Sequence, residues 1–220
     1  MKPVPSVHEL DHPLVRHHLS VLRSVDSDSE LFRSQIDRLS ILLAIEATRD
    51  LLTVETGIDT PLETIRGDRL SQRLALVPIL RAGLGLVNPL LNMLPEAQVW
   101  HLGMYRDEAT AQPVEYYCKL PTQNAAEVAI VLDPMLATGG SIRAAIGALQ
   151  RWGVPDIRVL SVIASPEGVE AVVSQFPEVR IFVCRVDREL NPRKFIVPGL
   201  GDAGDRMFNT APEGGVERPR

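Results

Sequence analysis

Apolar positions in the first quarter of the chain recur at helical spacing. From Leu31 to Ile45 they fall on one side of a helix, and charged residues fall on the other side. This pattern predicts a long amphipathic helix that packs against a core. Ser27 and Glu30 have the spacing of a capping box, so we expect the helix to begin directly after Ser27.

From Leu74 onward, short apolar runs alternate with helix-like segments. The apolar runs predict strands at Leu74–Leu80, Val99–Met104, Val128–Leu132, Ile157–Ile163 and Val179–Val183. The segments between them predict helices at Leu84–Leu94, Ser141–Trp152 and Pro166–Phe176. Strands that are apolar on both faces and alternate with helices indicate an α/β fold with a mostly parallel central sheet flanked by helices. Ligands of such sheets bind beyond the carboxyl ends of the strands.

Composition and charge narrow the classes of function. The chain has 220 residues, enough for one substantial core, and a net charge of −5. This acidic balance gives no electrostatic footprint for nucleic acid or for an anionic membrane, so we expect neither as a partner. The first residues contain no apolar signal region and no apolar run reaches membrane-spanning length, so we expect a cytoplasmic protein.

Cysteines and histidines, which often carry chemistry, are expected to be structural here. Cys118 and Cys184 lie far apart without CxxC spacing, so neither is expected to bind a metal or to react. A cluster of histidines near the start of the chain lacks the spacing of a compact ligand set, so we expect no metal site there. These histidines are His8, His12, His17 and His18.

The segment after the predicted strand that ends at Leu132 combines groups that suit a sugar phosphate. Asp133 follows the strand, and its carboxylate can accept two hydrogen bonds from sugar hydroxyls. Gly139 and Gly140 permit close backbone approach at the start of a helix, whose first N–H groups form an anion site. No Lys precedes Ser141, so the segment is not a Walker A loop. From these residues alone, a structural turn that caps the helix stays an alternative.

These residues carry a resemblance to a known family. The run LDPMLATGGS, residues 132–141, resembles the phosphoribosyl-diphosphate loop of the type I phosphoribosyltransferases, and its Asp-Pro pair resembles the uracil phosphoribosyltransferase branch. Further segments are similar to that branch: VPILRAGLGLV, MYRDEATAQPVEYYCKLP, HPLVRHHLSVLR, LLAIEATRD and FIVPGLGDAGDRMFN. The resemblance covers residues 4–209. It implies a type I phosphoribosyltransferase-like fold with a flexible arm and a carboxyl-terminal uracil-binding loop.

The resemblance also implies roles for individual residues. The residues expected to act in catalysis are Arg81, Arg106, Asp133 and Asp202. Those expected to contact phosphoribosyl diphosphate are Arg81, Arg106, Asp133, Pro134, Met135, Leu136, Ala137, Thr138, Gly139, Gly140, Ser141 and Asp202. Those expected to contact uracil are Ile196, Gly201, Asp202 and Ala203. The protein is expected to hold no metal of its own, because Mg²⁺ arrives with phosphoribosyl diphosphate.

A base site in the carboxyl-terminal loop makes physical sense. Pro198, Gly199, Gly201 and Gly204 force an irregular backbone whose N–H and C=O groups cannot all pair internally. Such a backbone can present a rigid pattern of donors and acceptors to a planar base. Uracil has an acceptor at O4 and a donor at N3, and cytosine reverses both. A loop built for uracil therefore leaves buried groups unpaired with cytosine.

The resemblance therefore implies an enzyme that transfers ribose phosphate from phosphoribosyl diphosphate to uracil, giving UMP and diphosphate. It also implies a homo-oligomer, a dimer or larger, and GTP as an effector of some members. One alternative is a regulator of the same fold that binds RNA, which the net charge of −5 disfavours. A purine enzyme of this class would lack the segment VPGLGDAGDR. We expect one domain over residues 1–210, with a helical lead-in over about 5–55, and a flexible tail over residues 211–220.

Overall fold

The computed structural model describes residues 6–106, 113–121 and 123–210 of the chain, without the side chains of 105–106 and 113–115. The helices are α1 (Pro13–Arg23), α2 (Ser29–Ala47), α3 (Val87–Met93), α4 (Gly140–Trp152), α5 (Pro166–Gln175) and α6 (Ala203–Phe208). A short 3₁₀ helix, Ala82–Leu86, precedes α3. No helix in the described part of the chain is long and apolar enough to cross a membrane. The predicted tail and the centre of the predicted arm, residues 107–112, lie outside the described residues.

Most of the described strands form one large sheet. The strands are β1 (Val7–Glu9), β2 (Thr53–Asp59), β3 (Thr64–Leu70), β4 (Leu74–Leu80), β5 (Gln98–Val99), β6 (Leu102–Arg106), β7 (Pro113–Cys118), β8 (Val128–Leu132), β9 (Met135–Leu136), β10 (Asp156–Ala164), β11 (Arg180–Val186), β12 (Glu189–Leu190) and β13 (Ile196–Val197). The large sheet has the order β1-β11-β10-β8-β4-β6-β7, with β5 beside β4 and β9 beside β10. Its neighbours pair in parallel except β7, which runs antiparallel to β6. The predicted mostly parallel central sheet is confirmed.

Alternation along the central strands buries both faces of the sheet. In β8, Val128, Ile130 and Leu132 belong to a core cluster that includes buried residues of α1, α2 and α3. Ala129 and Val131 belong to a second cluster on the other face, with buried residues of α4 and α5. Because successive side chains of a strand point to opposite faces, a run of apolar residues requires such cover on both sides. The sheet is therefore flanked by helices, as predicted.

The predicted elements of the second part of the chain are present, with shifted ends. β4 and β8 have the predicted bounds, and the predicted helix at 84–94 is divided into the 3₁₀ helix and α3. The predicted strand Val99–Met104 is divided into β5 and β6. Both parts pair with β4 in the same register, and Pro78 stands at the gap between them. Since proline has no N–H to donate, the ladder is interrupted there.

The predicted start of α2 is wrong by one residue. Asp28, not Ser27, is the N-cap, and its carboxylate accepts a hydrogen bond from the Leu31 N–H at 2.8 Å. The Ser27 hydroxyl donates instead to the Val21 carbonyl at 2.6 Å, which closes the connection between α1 and α2. Both residues are good caps in isolation, and the tertiary contact decides between them.

The predicted helical lead-in over about 5–55 ends at Ala47, and two strand features were missed. β1 adds to the edge of the large sheet beside β11. β2 and β3 form an antiparallel hairpin in which Thr53 pairs with Leu70 and Asp59 with Thr64. The hairpin residues are mostly exposed, so their sequence lacks the apolar pattern that marks a buried strand.

Candidate functional site

The carboxyl ends of four strands meet at one edge of the large sheet. Arg81 follows β4, Asp133 follows β8, Ser165 follows β10 and Asp187 follows β11. Because these strands are parallel neighbours, the four residues lie along the same edge. This edge is where ligands of such sheets bind. The structure therefore places the predicted Arg81 and Asp133 together.

The loop between β8 and α4 presents donors that have no partner in the described part of the chain. Gly139 is the N-cap of α4 and has a φ of 75°, a conformation that glycine adopts without strain. From Thr138 to Ser141, no backbone N–H and no side-chain hydroxyl forms a hydrogen bond to another described residue. These donors stand at the positive end of the α4 dipole, so they suit a phosphate group.

The other side of this loop is held by the start of α5. Ser165 donates its N–H to the Leu136 carbonyl at 2.9 Å and its hydroxyl to the Ala137 carbonyl at 2.6 Å. A Cβ on Gly168 would overlap the Ala137 carbonyl, so only glycine allows this approach. The Pro134 carbonyl accepts N–H groups of β10. The first half of the predicted phosphate loop, through β9, is thus tied to the sheet, and the second half is left open.

Asp133 is half-buried, and its acidity is strongly perturbed. One carboxylate oxygen accepts a hydrogen bond from the Met135 N–H at 3.2 Å. Burial raises the pKa of the Asp133 carboxyl from its ordinary 3.8 to about 7, the Met135 N–H opposes the rise, and the negative charge of Asp202 adds to it. Asp202 of the carboxyl-terminal loop thus acts electrostatically on the phosphate loop.

Arg81 faces the first turn of α6. Its guanidinium donates to the Asp205 carboxylate at 3.1 Å and to the Thr210 hydroxyl at 3.3 Å, and that hydroxyl donates to Asp205 at 2.8 Å. The Arg81 side chain is 58% exposed, so several of its donors remain free for a ligand. A Cβ on Gly83 would overlap the Leu132 carbonyl, which explains how the turn after Arg81 packs so closely against the end of β8.

The carboxyl-terminal loop runs from β13 into α6 and contains the predicted uracil contacts. Gly199 and Gly201 have φ values of 64° and 80°, and the side chains of Ile196 and Ala203 are buried in the core. The N–H groups of Gly201 and Ala203 donate to no other described residue. The loop therefore offers backbone donors, and hardly any side chain, to a ligand.

Asp202 lies inside this loop and caps α6. Its carboxylate accepts a hydrogen bond from the Asp205 N–H at 2.9 Å. Asp205 thus contacts both the cap and Arg81, and it supports the loop. Together, the structure brings Arg81, Asp133 and Asp202 to one site. The backbone of Arg106 ends β6, the strand next to β4, but its side chain lies outside the described part of the structure.

The early histidines make local contacts instead of forming a cluster of ligands. His8 stacks on Phe182 with ring centroids 4.7 Å apart, the His12 Nδ1 accepts the Leu14 N–H, and His18 lies 2.8 Å from the Gln35 side chain. Among residues 6–106, 113–121 and 123–210, no three His, Cys, Asp or Glu side chains are grouped to hold a metal ion.

Cys184 also has a structural place in the fold. It is 2% exposed, within the core on the face of the sheet that packs against α1 and α2. Burial raises the pKa of the Cys184 thiol, which keeps it protonated and unreactive.

A set of side chains behind the carboxyl-terminal loop was not predicted from the sequence. Arg23 at the end of α1 and Asp187 after β11 form an ion pair that bonds to the backbone of Gly199. Arg206 of α6 bonds to the carbonyl of Leu200. No local pattern pointed to Arg23 or Asp187, because they are 164 positions apart in the chain.

Comparisons with known proteins agree with this geometry. The sequence model of the family described as uracil phosphoribosyltransferase matches residues 9–210. The chain is 52% identical over 199 residues to a protein named uracil phosphoribosyltransferase from Roseiflexus castenholzii, covering 90% of this chain and 96% of that protein. It is 50% identical over 202 residues to one of the same name from Symbiobacterium thermophilum, covering 91% and 97%. A solved structure of an Aquifex aeolicus protein superposes with a TM-score of 0.88 at 36% identity, covering 93% of this chain and 99% of that one.

Proposed function

The chain belongs to the uracil phosphoribosyltransferase family, and we propose that it transfers the 5-phosphoribosyl group of phosphoribosyl diphosphate to uracil N1. It is thus a pentosyltransferase that forms UMP and releases diphosphate. One observation carries the proposal: backbone N–H groups at residues 138–141 and at 201 and 203 donate to no other described residue, and they lie on two loops that the Arg81 turn connects. Gly83 of this turn packs against the Leu132 carbonyl, and Arg81 bonds to Asp205. An anion cradle and a base-binding backbone therefore share one site.

The phosphate loop and Asp133 hold the sugar phosphate. The open N–H groups from Thr138 to Ser141, with the two hydroxyls, donate to the ribose 5-phosphate. The ionised carboxylate of Asp133 accepts hydrogen bonds from the ribose hydroxyls. Ser165 supports this arrangement from behind, because its hydroxyl bonds to the Ala137 carbonyl of the loop, and Gly168 leaves room for that close packing. Rate is gained by positioning, since the sugar carbon is held in line for attack.

Arg81 and Arg106 stabilise the leaving diphosphate in this proposal. Cleavage of the bond between ribose C1 and oxygen builds negative charge on diphosphate, which the guanidinium of Arg81 can bind with a fork of donors. Asp205 supports this role, because it holds Arg81 at the site through a hydrogen bond at 3.1 Å. Arg106 comes from the neighbouring strand and is proposed as the second diphosphate ligand.

Mg²⁺ fits the donor set at this edge, and we propose that it arrives bound to phosphoribosyl diphosphate. The carboxylates of Asp133 and Asp202 lie close enough to influence one another, and oxygen ligands of this kind suit Mg²⁺ or its bound water. When bound, the ion neutralises charge on the leaving diphosphate. The residues of the chain supply the remaining contacts to the sugar and the base.

Uracil is proposed to bind the backbone of the carboxyl-terminal loop, at Ile196, Gly201 and Ala203, with Asp202 facing the phosphoribosyl substrate. The N–H groups of Gly201 and Ala203, which bond to no other described residue, can donate to uracil carbonyl oxygens. Cytosine carries an amino group in place of O4, so a backbone donor at that position rejects it. The family comparisons do not favour the alternative of an RNA-binding regulator.

Several further properties are proposed with the function. A homo-oligomer, a dimer or larger, is supported by the exposed apolar side chains of the hairpin β2–β3, among them Val54 and Ile65. GTP is proposed as an effector, as the sequence resemblance implies. Action in the cytoplasm suits a polyanionic substrate that does not cross membranes. Residues 1–210 are proposed to act as one domain, because both core clusters share one sheet.

A base-panel assay tests the proposed function. Purified protein is mixed with phosphoribosyl diphosphate, Mg²⁺ and one base at a time: uracil, cytosine, thymine, hypoxanthine or adenine. We expect UMP from uracil and little product from the other bases. Replacing phosphoribosyl diphosphate with ribose 5-phosphate serves as the control and is expected to give no product. Product from hypoxanthine with none from uracil would overturn the proposal.

A further inference from the structure

A buried ion pair between Arg23 and Asp187 binds both the backbone N–H and the backbone carbonyl of Gly199 in the carboxyl-terminal loop. Arg23 donates to the two oxygens of Asp187 at 2.5 and 2.8 Å, and the side chains are 21% and 2% exposed. Arg23 also donates to the Gly199 carbonyl at 2.8 Å, and the Gly199 N–H donates to Asp187 at 3.0 Å. The Asp187 N–H is itself bonded to the Ala164 carbonyl of β10. Gly199 is therefore fixed at two points, by its N–H to Asp187 at the end of β11 and by its carbonyl to Arg23 of α1.

A second arginine holds the next carbonyl of the same loop. The guanidinium of Arg206 is partly buried and lies over the ring of Phe32, 4.5 Å from its centroid. Burial lowers the pKa of Arg206, and its donors are directed to backbone carbonyls. The carbonyls that accept them, at 2.6 to 3.2 Å, are those of Leu22, Ser24, Ser27 and Leu200.

The bond to Leu200 determines where the neighbouring N–H points. The Leu200 carbonyl and the Gly201 N–H belong to one planar peptide unit, in which the two groups point in opposite directions when the bond is trans. Arg206 donates to the Leu200 carbonyl at 2.8 Å and so draws this carbonyl toward the connection between α1 and α2. The Gly201 N–H must then point the other way, and it donates to no other described residue.

The geometry points to Arg23, Asp187 and Arg206 as positioning residues that set the affinity and selectivity for uracil through the backbone of the loop. They touch no substrate. They act by fixing the peptide units at Gly199 and Leu200, and so the direction of the Gly201 donor. This inference rests on the proposed binding of uracil to the loop, and it deepens that proposal by naming what orients the donors.

The test compares single variants in steady-state kinetics with uracil and phosphoribosyl diphosphate varied in turn. Arg206→Gln and Arg23→Gln are expected to raise the KM for uracil about tenfold or more, the scale of one lost charged hydrogen bond. The KM for phosphoribosyl diphosphate is expected to change less than about threefold. Inhibition of the uracil reaction by cytosine should strengthen in the same variants, because a misdirected donor discriminates less.

Arg180→Gln is the matched control. Arg180 lies at the opposite end of β11, is also 21% exposed, and also forks onto carboxylates, those of Asp50 and Asp156. Its loss should lower the melting temperature about as much as the loss of Arg23, without a change in the KM for uracil. Arg23→Lys and Arg206→Lys keep the positive charge, so they should fold even if the Gln variants do not. Compared with the Gln variants, they should regain part of the affinity for uracil.

The outcomes separate this inference from the proposed function. If the unchanged protein forms no UMP, the proposed function fails, whatever the variants do. If the unchanged protein is active but the Arg206 and Arg23 variants, Gln or Lys, keep its KM for uracil and its response to cytosine, the positioning role is wrong and the side chains serve stability alone. A KM for phosphoribosyl diphosphate that rises as much as that for uracil would also overturn it.

Discussion

Replacing Asp133 with Asn is expected to stabilise the fold at alkaline pH while it removes most of the transfer activity. The carboxyl of Asp133 is half-buried, and its pKa is raised from 3.8 to about 7 because burial and the charge of Asp202 disfavour the ionised form. Asn has nearly the same shape and carries no charge. The substitution therefore removes the cost of ionisation, and it also replaces one of the two acceptor oxygens proposed for the ribose hydroxyls with an NH₂ donor.

The sign and size of the stability effect follow from the two pKa values. The Asp133 carboxyl holds its proton more tightly in the folded state than in the unfolded state. Its contribution to the free energy of unfolding is therefore fully favourable below pH 3.8 and is lost as the pH rises through about 7. At ~1.36 kcal/mol per pKa unit, the full difference corresponds to about 4 kcal/mol. Because the side chain still contacts water, we expect about 1–2 kcal/mol. For a chain of this size, each kcal/mol raises the melting temperature by roughly 2–4 °C.

Urea unfolding of the two proteins at about pH 5 and about pH 8.5 measures this effect. The advantage of Asp133→Asn over the unchanged protein should grow between the two pH values. Asp26→Asn, at an exposed position, should show no such growth. In the unchanged protein, kcat/KM for phosphoribosyl diphosphate should rise with pH through about 7, as Asp133 ionises. A stability difference that stays the same at both pH values would show that burial does not raise the pKa of the Asp133 carboxyl.

Three further substitutions test other parts of the site. Arg106→Ala should raise the KM for phosphoribosyl diphosphate, and an unchanged KM would contradict its proposed role at the diphosphate. Gly139→Ala should destabilise the protein by about 1–3 kcal/mol in urea unfolding, because φ is 75° at this position and a Cβ would lie 2.9 Å from the Gly168 carbonyl. A variant as stable as the parent would show that the loop can relax. Asp205→Asn should lower kcat more than it raises the KM for uracil, because Arg81 loses its charged partner at 3.1 Å, and the reverse pattern would place Asp205 with the base instead.

The central strands and the phosphate loop could be predicted because their signals are local. β8 is a run of five apolar residues, Asp133 follows it directly, and Gly139 and Gly140 stand where the next helix begins. The cap of α2 could not be predicted, because Ser27 and Asp28 are both good caps and a bond from Ser27 to Val21 decides between them. The hairpin β2–β3 was missed because an exposed hairpin has no buried face to impose an apolar pattern.

Local sequence patterns reveal the alternation of strands and helices from Leu74 onward, the phosphate loop, and a glycine-rich loop near the end of the chain. Each of these depends on residues that are neighbours in the chain, so periodicity and spacing reveal them. Three features emerge only in the folded molecule: the two loops face one another, Asp202 perturbs Asp133, and Arg23 meets Asp187 behind Gly199. Those contacts join positions far apart in the chain, and their geometry exists only after the parallel sheet has brought its carboxyl ends together.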